Sequence, residues 1–309
     1  MQNQKSIWLI WGVLIILAFV WGSSFILMKI ALFDKAGNPV YSALDVAALR
    51  ILIAALALLP VTIANLKKVP SNKWGWILGV GTFGNLFPAY LFTSAQTELP
   101  SAIAGMLNSL TPLFTMIIAV ILFRTVISKS QLIGLIIGFI GAIILISDGG
   151  DLSEIFNGSG GISIIACGKV ALATLFYGCS VNILKNKLLD VGATTIAALA
   201  LAMVMPISLC ALLGSDVLTV LAENESGVKS IIAVVILAVI GTAAALAVFN
   251  ALIKWTDALT ASSVTYIIPV FAAMWGVVDG ERLTLWHLVG GVVILLGVAL
   301  VKRGGSRKK

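Results

Sequence analysis

Two prolines mark where this sequence could do chemistry. Pro112 and Pro269 each fall inside an apolar run. A proline there has no backbone N–H to donate, so it frees the carbonyl four residues earlier. The two freed carbonyls belong to Asn108 and Thr265, which also carry polar side chains. Side-chain and backbone groups together could hold the amine or carboxylate of a small polar ligand. The structural alternative is that neighbouring helices or the polar side chains re-satisfy the carbonyls and leave only kinks.

A second matched pair is Trp21-Gly22-Ser23-Ser24 against Tyr177-Gly178-Cys179-Ser180. The glycine permits close helix approach, the aromatic ring could stack on a ligand, and Ser24 or Ser180 could bond it. Serines that bond their own preceding turn would make the same pair a packing device. Asn182 lies two residues beyond Ser180, Asn85 and Tyr90 flank Pro88, and Tyr266 adjoins Thr265. The candidate binding set is therefore Trp21, Ser24, Asn85, Tyr90, Asn108, Tyr177, Asn182, Thr265 and Tyr266.

The elements that must position these residues follow from composition. The chain has 309 residues, 60% hydrophobic and only 11% charged, whereas soluble domains run at about 45–50% apolar and roughly a quarter charged. Crossing a bilayer takes ~20 apolar residues per helix, and lipid leaves backbone groups no partner outside a helix. Polar breaks separate ten apolar runs, at about 7–32, 44–64, 74–95, 101–122, 130–147, 162–184, 193–213, 230–251, 258–278 and 284–301. The expectation is an all-α integral membrane protein with ten transmembrane helices. The run after Lys5 carries no convincing cleavage site and reads as a retained first helix.

Charge gives the orientation. With the N-terminus inside, cytoplasmic segments hold fourteen of the 20 cations, including Lys67, Lys68, Lys73, Lys185, Lys187 and the basic tail from Lys302. External loops hold only Lys35, Lys229 and Arg282. That bias places both termini in the cytoplasm. The net charge of +7 thus belongs to loops and an inner-leaflet anchor, not to a nucleic-acid surface.

Sliding the chain against itself by 156 or 157 residues superposes Gly12 on Gly168, Gly22 on Gly178, Ser24 on Ser180, Lys29 on Lys185, Phe92 on Phe249, Pro112 on Pro269 and Gly141 on Gly297. Each unit holds five helices, and an odd number inserts the second copy upside down. The units are residues 1–150 and 151–309, the second ending in the basic tail. Two inverted five-helix repeats around a central cavity are a signature of secondary transporters. The glycines at 134, 138 and 141 and at 290, 291 and 297 read as close-packing surfaces of the fifth and tenth helices, whether between halves or at a dimer contact.

The chain resembles the EamA-type permeases of the drug/metabolite transporter superfamily along nearly its whole length. The resemblance is carried by WGSSF at Trp21–Phe25, by Arg50 in the second helix, and by the stretch from Ala261 to Val301 with its proline, GERL at Gly280–Leu283 and following glycines. The first half departs from this pattern, with Thr125 where the second has Glu281. The resemblance implies a basket of ten helices around a cavity and export of small metabolites, often amino acids, across the cytoplasmic (inner) membrane of a prokaryote. A lipid or lipid-linked-carrier flippase shares the architecture and is the alternative.

Coupling is read by elimination. Asp45, Glu98, Asp257, Asp279 and Glu281 all sit at span ends, so no mid-span carboxylate suggests proton or sodium coupling. Facilitated or exchange transport is the expectation. Lys29 and Arg50 lie near the outer interface, where long side chains can snorkel. Lys169 is deeper and is a candidate for coupling, and Glu281 is a candidate external gate through Arg282 or a loop partner. One interfacial histidine, His287, and three scattered cysteines, Cys167, Cys179 and Cys210, assemble neither a catalytic group nor a metal site. We therefore expect no enzyme activity and no cofactor. Repeated pore-lining signatures or charged rings of a channel are also missing. The expected partners are a small-molecule substrate and the bilayer, with the protein a monomer or homodimer.

Overall fold

The computed structural model describes residues 6–150, 162–256, 261 and 263–306. Lys5, Asp151, Glu154, Asp257 and the tail residues Arg307, Lys308 and Lys309 lie outside the described residues. Within them the chain is helical, with one isolated bridge between Phe33 and Pro39. Six helices are long and apolar enough to cross a membrane, or seven if a bent pair is counted as one span.

The helices of the first half are α1 (Ile7–Leu32), α2 (Ala43–Ala57), α3 (Leu59–Asn65), α4 (Trp74–Gly81), α5 (Phe87–Ala95), α6 (Ser101–Leu107), α7 (Thr111–Phe123) and α8 (Lys129–Ser147). Those of the second half are α9 (Ile164–Lys187), α10 (Ala193–Leu212), α11 (Val217–Glu223), α12 (Gly227–Ala238), α13 (Ala245–Trp255), α14 (Ile268–Val278) and α15 (Leu285–Ser306). Serines mark several starts. The Ser42 hydroxyl accepts from Asp45 N, Ser163 from Ala166 N, and Ser128 forms a capping box with Gln131. Each satisfies a donor that the first turn would otherwise leave unpaired. The short α11 falls in a loop that the hydropathy pattern left without structure.

Breaks inside the apolar runs have local causes. α2 and α3 meet at a 55° bend beside Pro60, which cannot continue the hydrogen-bond ladder. Between α4 and α5 a wide π turn spans Thr82–Leu86, next to Pro88. Between α12 and α13 a second π turn spans Val239–Ala244, with no proline at all. The two turns occupy equivalent positions under the 157-residue shift. Both are stitched the same way: Asn85 Nδ2 donates to Val80 O at 3.4 Å, and Thr242 Oγ1 donates to Leu237 O at 3.0 Å. 3-10 turns at Asn108–Leu110 and Ser263–Tyr266 likewise precede Pro112 and Pro269.

The glycines of α8 and α15 form the closest helix pair. A Cβ on Gly134 would stand 2.5 Å from Gly297 O, one on Gly141 2.5 Å from Ile294 N, and one on Gly297 2.4 Å from Gly138 N. Backbone meets backbone here, the arrangement small residues permit in lipid. Gly138, where a Cβ would meet the Leu113 side chain of α7, and Gly291, which faces Met106, are the exceptions. The seam lies within one chain and joins the two halves.

Candidate functional site

α1, α2, α5, α9, α10, α13, the two π turns and the 3-10 turns surround a central cavity of about 1180 Å³, counting the part open to solvent. Both halves build it, and their contacts cross symmetrically. Trp21 of α1 packs edge-on against Phe249 of α13 with centroids 5.0 Å apart, and Tyr177 of α9 stacks on Phe92 of α5 at 5.8 Å. The repeat shift converts one pair into the other. Glycine gives the same crossing: a Cβ on Gly84 would stand 2.4 Å from Ser180 Oγ, and one on Gly241 3.0 Å from Ser24 Oγ. Gly22 likewise lets α1 press on α14, as Gly178 lets α9 press on α7.

Six of the nine candidate binding residues line this cavity: Trp21, Ser24, Asn85, Asn108, Tyr177 and Thr265. Several are already engaged. The Trp21 indole donates to Gly241 O at 3.0 Å, and the Ser24 hydroxyl donates back to Val20 O at 3.0 Å. Asn108 is 7% exposed, its Oδ1 accepts a long bond of 3.4 Å from Thr111 Oγ1, and its Nδ2 has no protein partner among the described residues. The other three lie elsewhere. Asn182 Nδ2 ties Thr115 O to Gly178 O at 2.9 Å each, the Tyr266 hydroxyl donates to Val298 O at 3.2 Å, and Tyr90 packs with Leu86 and Leu201 beside α10.

The two freed carbonyls follow the re-satisfied alternative. Asn108 O accepts from the Thr111 hydroxyl at 2.8 Å, and Thr265 O accepts from the Ser109 hydroxyl at 3.0 Å. Each carbonyl thus already has a protein donor, because an unsatisfied carbonyl in a dry core costs more than recruiting a nearby hydroxyl. What the prolines leave at the cavity is side chains.

Arg50 is the residue the sequence reading misplaced. It does not snorkel. It is 8% exposed, lines the cavity, and its Nε donates to Thr242 Oγ1 at 2.8 Å. Its position two turns into α2 (~10 Å from the helix start), flanked by alanines and branched aliphatics, was the available signal. Thr242 and Asn250 also line the wall and were not singled out from sequence.

Glu281 and Lys169 lie away from the cavity lining. Glu281 Oε1 accepts from Lys29 Nζ at 2.9 Å and from Ser101 N at 2.8 Å, while Oε2 accepts from Ala102 N at 3.0 Å. The partner is thus Lys29 and the start of α6, not Arg282. Asp279 Oδ2 joins Lys29 at 2.7 Å. Lys169 Nζ donates to Ser94 Oγ at 3.0 Å and reaches Glu98 Oε1 at 3.5 Å. The Ser163 hydroxyl and, after it, Lys169 hold the Glu98 carboxyl below its ordinary range. At the other end of the cavity, Lys73 pairs with Asp190 at 2.8 Å and donates to Lys187 O at 2.7 Å. No group of three or more metal-ligating side chains converges among the described residues.

The model of the EamA-like transporter family matches this chain twice, over residues 6–147 and 164–303. The chain belongs to the EamA-like transporter family. Each match covers one half of the chain, and one π turn and one proline-preceding 3-10 turn fall within each match. The uncharacterized inner membrane transporter YedA of Escherichia coli strain K12 is 28% identical over 301 residues, spanning 96% of this chain and 91% of that protein. A probable amino-acid metabolite efflux pump of Salmonella typhimurium is 25% identical over 296 residues, spanning 92% and 91%. A solved crystal structure superposes with a TM-score of 0.63 over 96% of this chain and 98% of that one at 17% identity, which concerns the fold alone.

Proposed function

We propose that this EamA-family transporter is a ten-helix secondary carrier of two inverted five-helix repeats, with residues 1–150 and 151–309 as its halves. It exports small metabolites such as amino acids by alternating access through the central cavity. The observation that carries this reading is the crosswise pairing of Trp21 with Phe249 and of Tyr177 with Phe92. A contact and its repeat-related copy on opposite walls give two equivalent ways to close one site. The Salmonella relative named for amino-acid metabolite efflux supports the cargo class.

With both termini cytoplasmic, the Lys29–Glu281–Ser101 cluster stands at the external end of the cavity and Lys73–Asp190 at the internal end. Each joins one half to the other, so each must part when its side opens. Among the described residues the cavity's lining includes no carboxylate, which supports facilitated or exchange transport. Candidate cargo contacts are Trp21, Ser24, Asn85, Asn108, Tyr177 and Thr265.

Proteoliposomes test the reading. Radiolabelled amino acids loaded outside should exchange against unlabelled cargo inside, and Asn108→Ala should weaken that exchange. Uphill accumulation driven by an imposed pH gradient alone would overturn the facilitative mechanism. No exchange of any panel member above empty vesicles would overturn the cargo class.

A further inference from the structure

Arg50 carries a buried positive charge that no carboxylate among the described residues neutralises. Guanidinium stays protonated at any physiological pH, and a buried charge normally keeps a carboxylate beside it. Among the described residues none of the ion pairs involves Arg50. Its protein contacts are neutral: Nε to Thr242 Oγ1 at 2.8 Å, Nη1 to Met28 Sδ at 3.9 Å, and the Tyr177 phenol alongside. Of its five N–H donors, two remain after these contacts for something in the cavity. Among the described lining residues Arg50 is also the one that carries a charge.

The repeat argues against a packing role. α2 and α10 start after Ser42 and Gly192, which places Ala47-Ala48-Leu49-Arg50 on Ala197-Ala198-Leu199-Ala200. Ala200 lines the opposite wall, so a methyl group suffices where geometry alone decides. The arginine is an addition on one side of a pseudo-symmetric cavity.

From this we infer that Arg50 is the anion-recognition residue of the cavity and that cargo docks with a carboxylate against its guanidinium. A bidentate carboxylate would use the free donors and supply the missing counter-charge. The aromatic wall of Trp21, Phe92, Tyr177 and Phe249 takes an apolar body, so a small organic carboxylate fits, whether or not it also carries an amine. Without a carboxylate in the lining, a purely cationic cargo meets only repulsion. The inference rests on the transporter reading of this cavity and narrows its cargo.

The test uses the full-length protein in nanodiscs and matched probes: 3-phenylpropanoate, 3-phenylpropanamide, 3-phenylpropylamine, 2-phenylethylphosphonate and L-phenylalanine. Calorimetric titration should show the carboxylates binding about tenfold or more tightly than the amide and amine, the scale of a charged hydrogen-bond pair. Arg50→Gln should reduce that preference to near unity while amide affinity changes little. Should Arg50→Gln fail to fold, Arg50→Lys decides: it keeps the order of probes but weakens the carboxylate several-fold through lost bidentate geometry. Equal binding of amide and carboxylate, binding unchanged in Arg50→Lys, or no carboxylate binding by the wild type overturns the inference. Tight phosphonate with no carboxylate binding overturns its carboxylate form. Counterflow of the same probes separates the two readings. Arg50-independent transport of the carboxylates sinks this inference and leaves a transporter, whereas Arg50-dependent binding without counterflow sinks the transport reading alone.

Discussion

Glu281 and Lys29 lie 252 residues apart in the chain and 2.9 Å apart in the fold. The same carboxylate takes the amides of Ser101 and Ala102, so one buried side chain ties α1, α6 and the α14–α15 turn together. Gly276 makes room for it, since a Cβ there would stand 2.5 Å from Glu281 Oε2.

A glutamine at this position has one acceptor oxygen where three donors converge. Glu281→Gln is expected to destabilise the protein by about 1–3 kcal/mol, the cost of hydrogen bonds to a charged group. Asp279→Asn should cost less, because Asp279 is half-exposed and its pair with Lys29 is screened. Thermal unfolding in detergent measures both. A Glu281→Gln protein as stable as wild type would mean the cluster contributes nothing.

The α8–α15 seam predicts a sharp positional contrast among glycines. Gly141→Val and Gly297→Val would drive a side chain into the partner backbone, and overpacking of that kind costs roughly 1–3 kcal/mol or more. Gly12→Ala meets nothing within 4 Å and should be neutral or slightly stabilising for α1. Yield of monodisperse protein and its melting temperature are the readouts, and equal behaviour of the three would refute the seam.

How much of this was legible in the sequence depends on range. Several of the expected spans were, because each needs only a run of apolar residues, and α1, α7, α8 and α10 end within a few residues of their expected bounds. The glycine seam was also legible, because Gly134, Gly138 and Gly141 recur at helical spacing. The π turn at Val239–Ala244 was not: no proline marks it, and its stitching bond from Thr242 to Leu237 appears only once the helix is wound. The partners of Glu281 were invisible for a different reason, since Lys29 and Ser101 arrive from helices whose packing no local pattern encodes. Arg50 was misread because snorkelling was judged from nearness to the span end, while the outcome depended on which face of α2 met the cavity.

Acid should weaken the Lys73–Asp190 link before it touches the core. Lys73 holds the Asp190 carboxyl below its ordinary range, so the unfolded chain, with a carboxyl pKa near ~3.9, binds the proton more readily than the folded one. The stabilisation is therefore complete above about pH 5 and is lost as pH falls through ~4 towards the folded value. Asp190→Asn should flatten that part of the stability–pH curve and lower the pH 6–8 plateau by a constant amount. Because Asp190 is 60% exposed, the difference should shrink as salt is added. A difference between the two proteins that grows from pH 6 to pH 8 would contradict this assignment.

Two asparagines of similar burial should part company under the same substitution. Asn182 bridges two carbonyls, Thr115 O and Gly178 O, so Asn182→Ala leaves at least one buried acceptor short and should cost about 1–3 kcal/mol of stability. Asn108 Nδ2 has no protein partner among the described residues, and the Asn108 backbone carbonyl is satisfied through Thr111, so Asn108→Ala should unfold close to wild type. Its loss should register instead in transport, as an apparent KM raised about 5–10-fold, the worth of one neutral hydrogen bond to cargo. Melting temperature and counterflow kinetics on both variants decide the matter. An Asn108→Ala protein that melts early with unchanged KM would make Asn108 a structural residue, and the polar face of the cavity would then reduce to Arg50 and its neighbours.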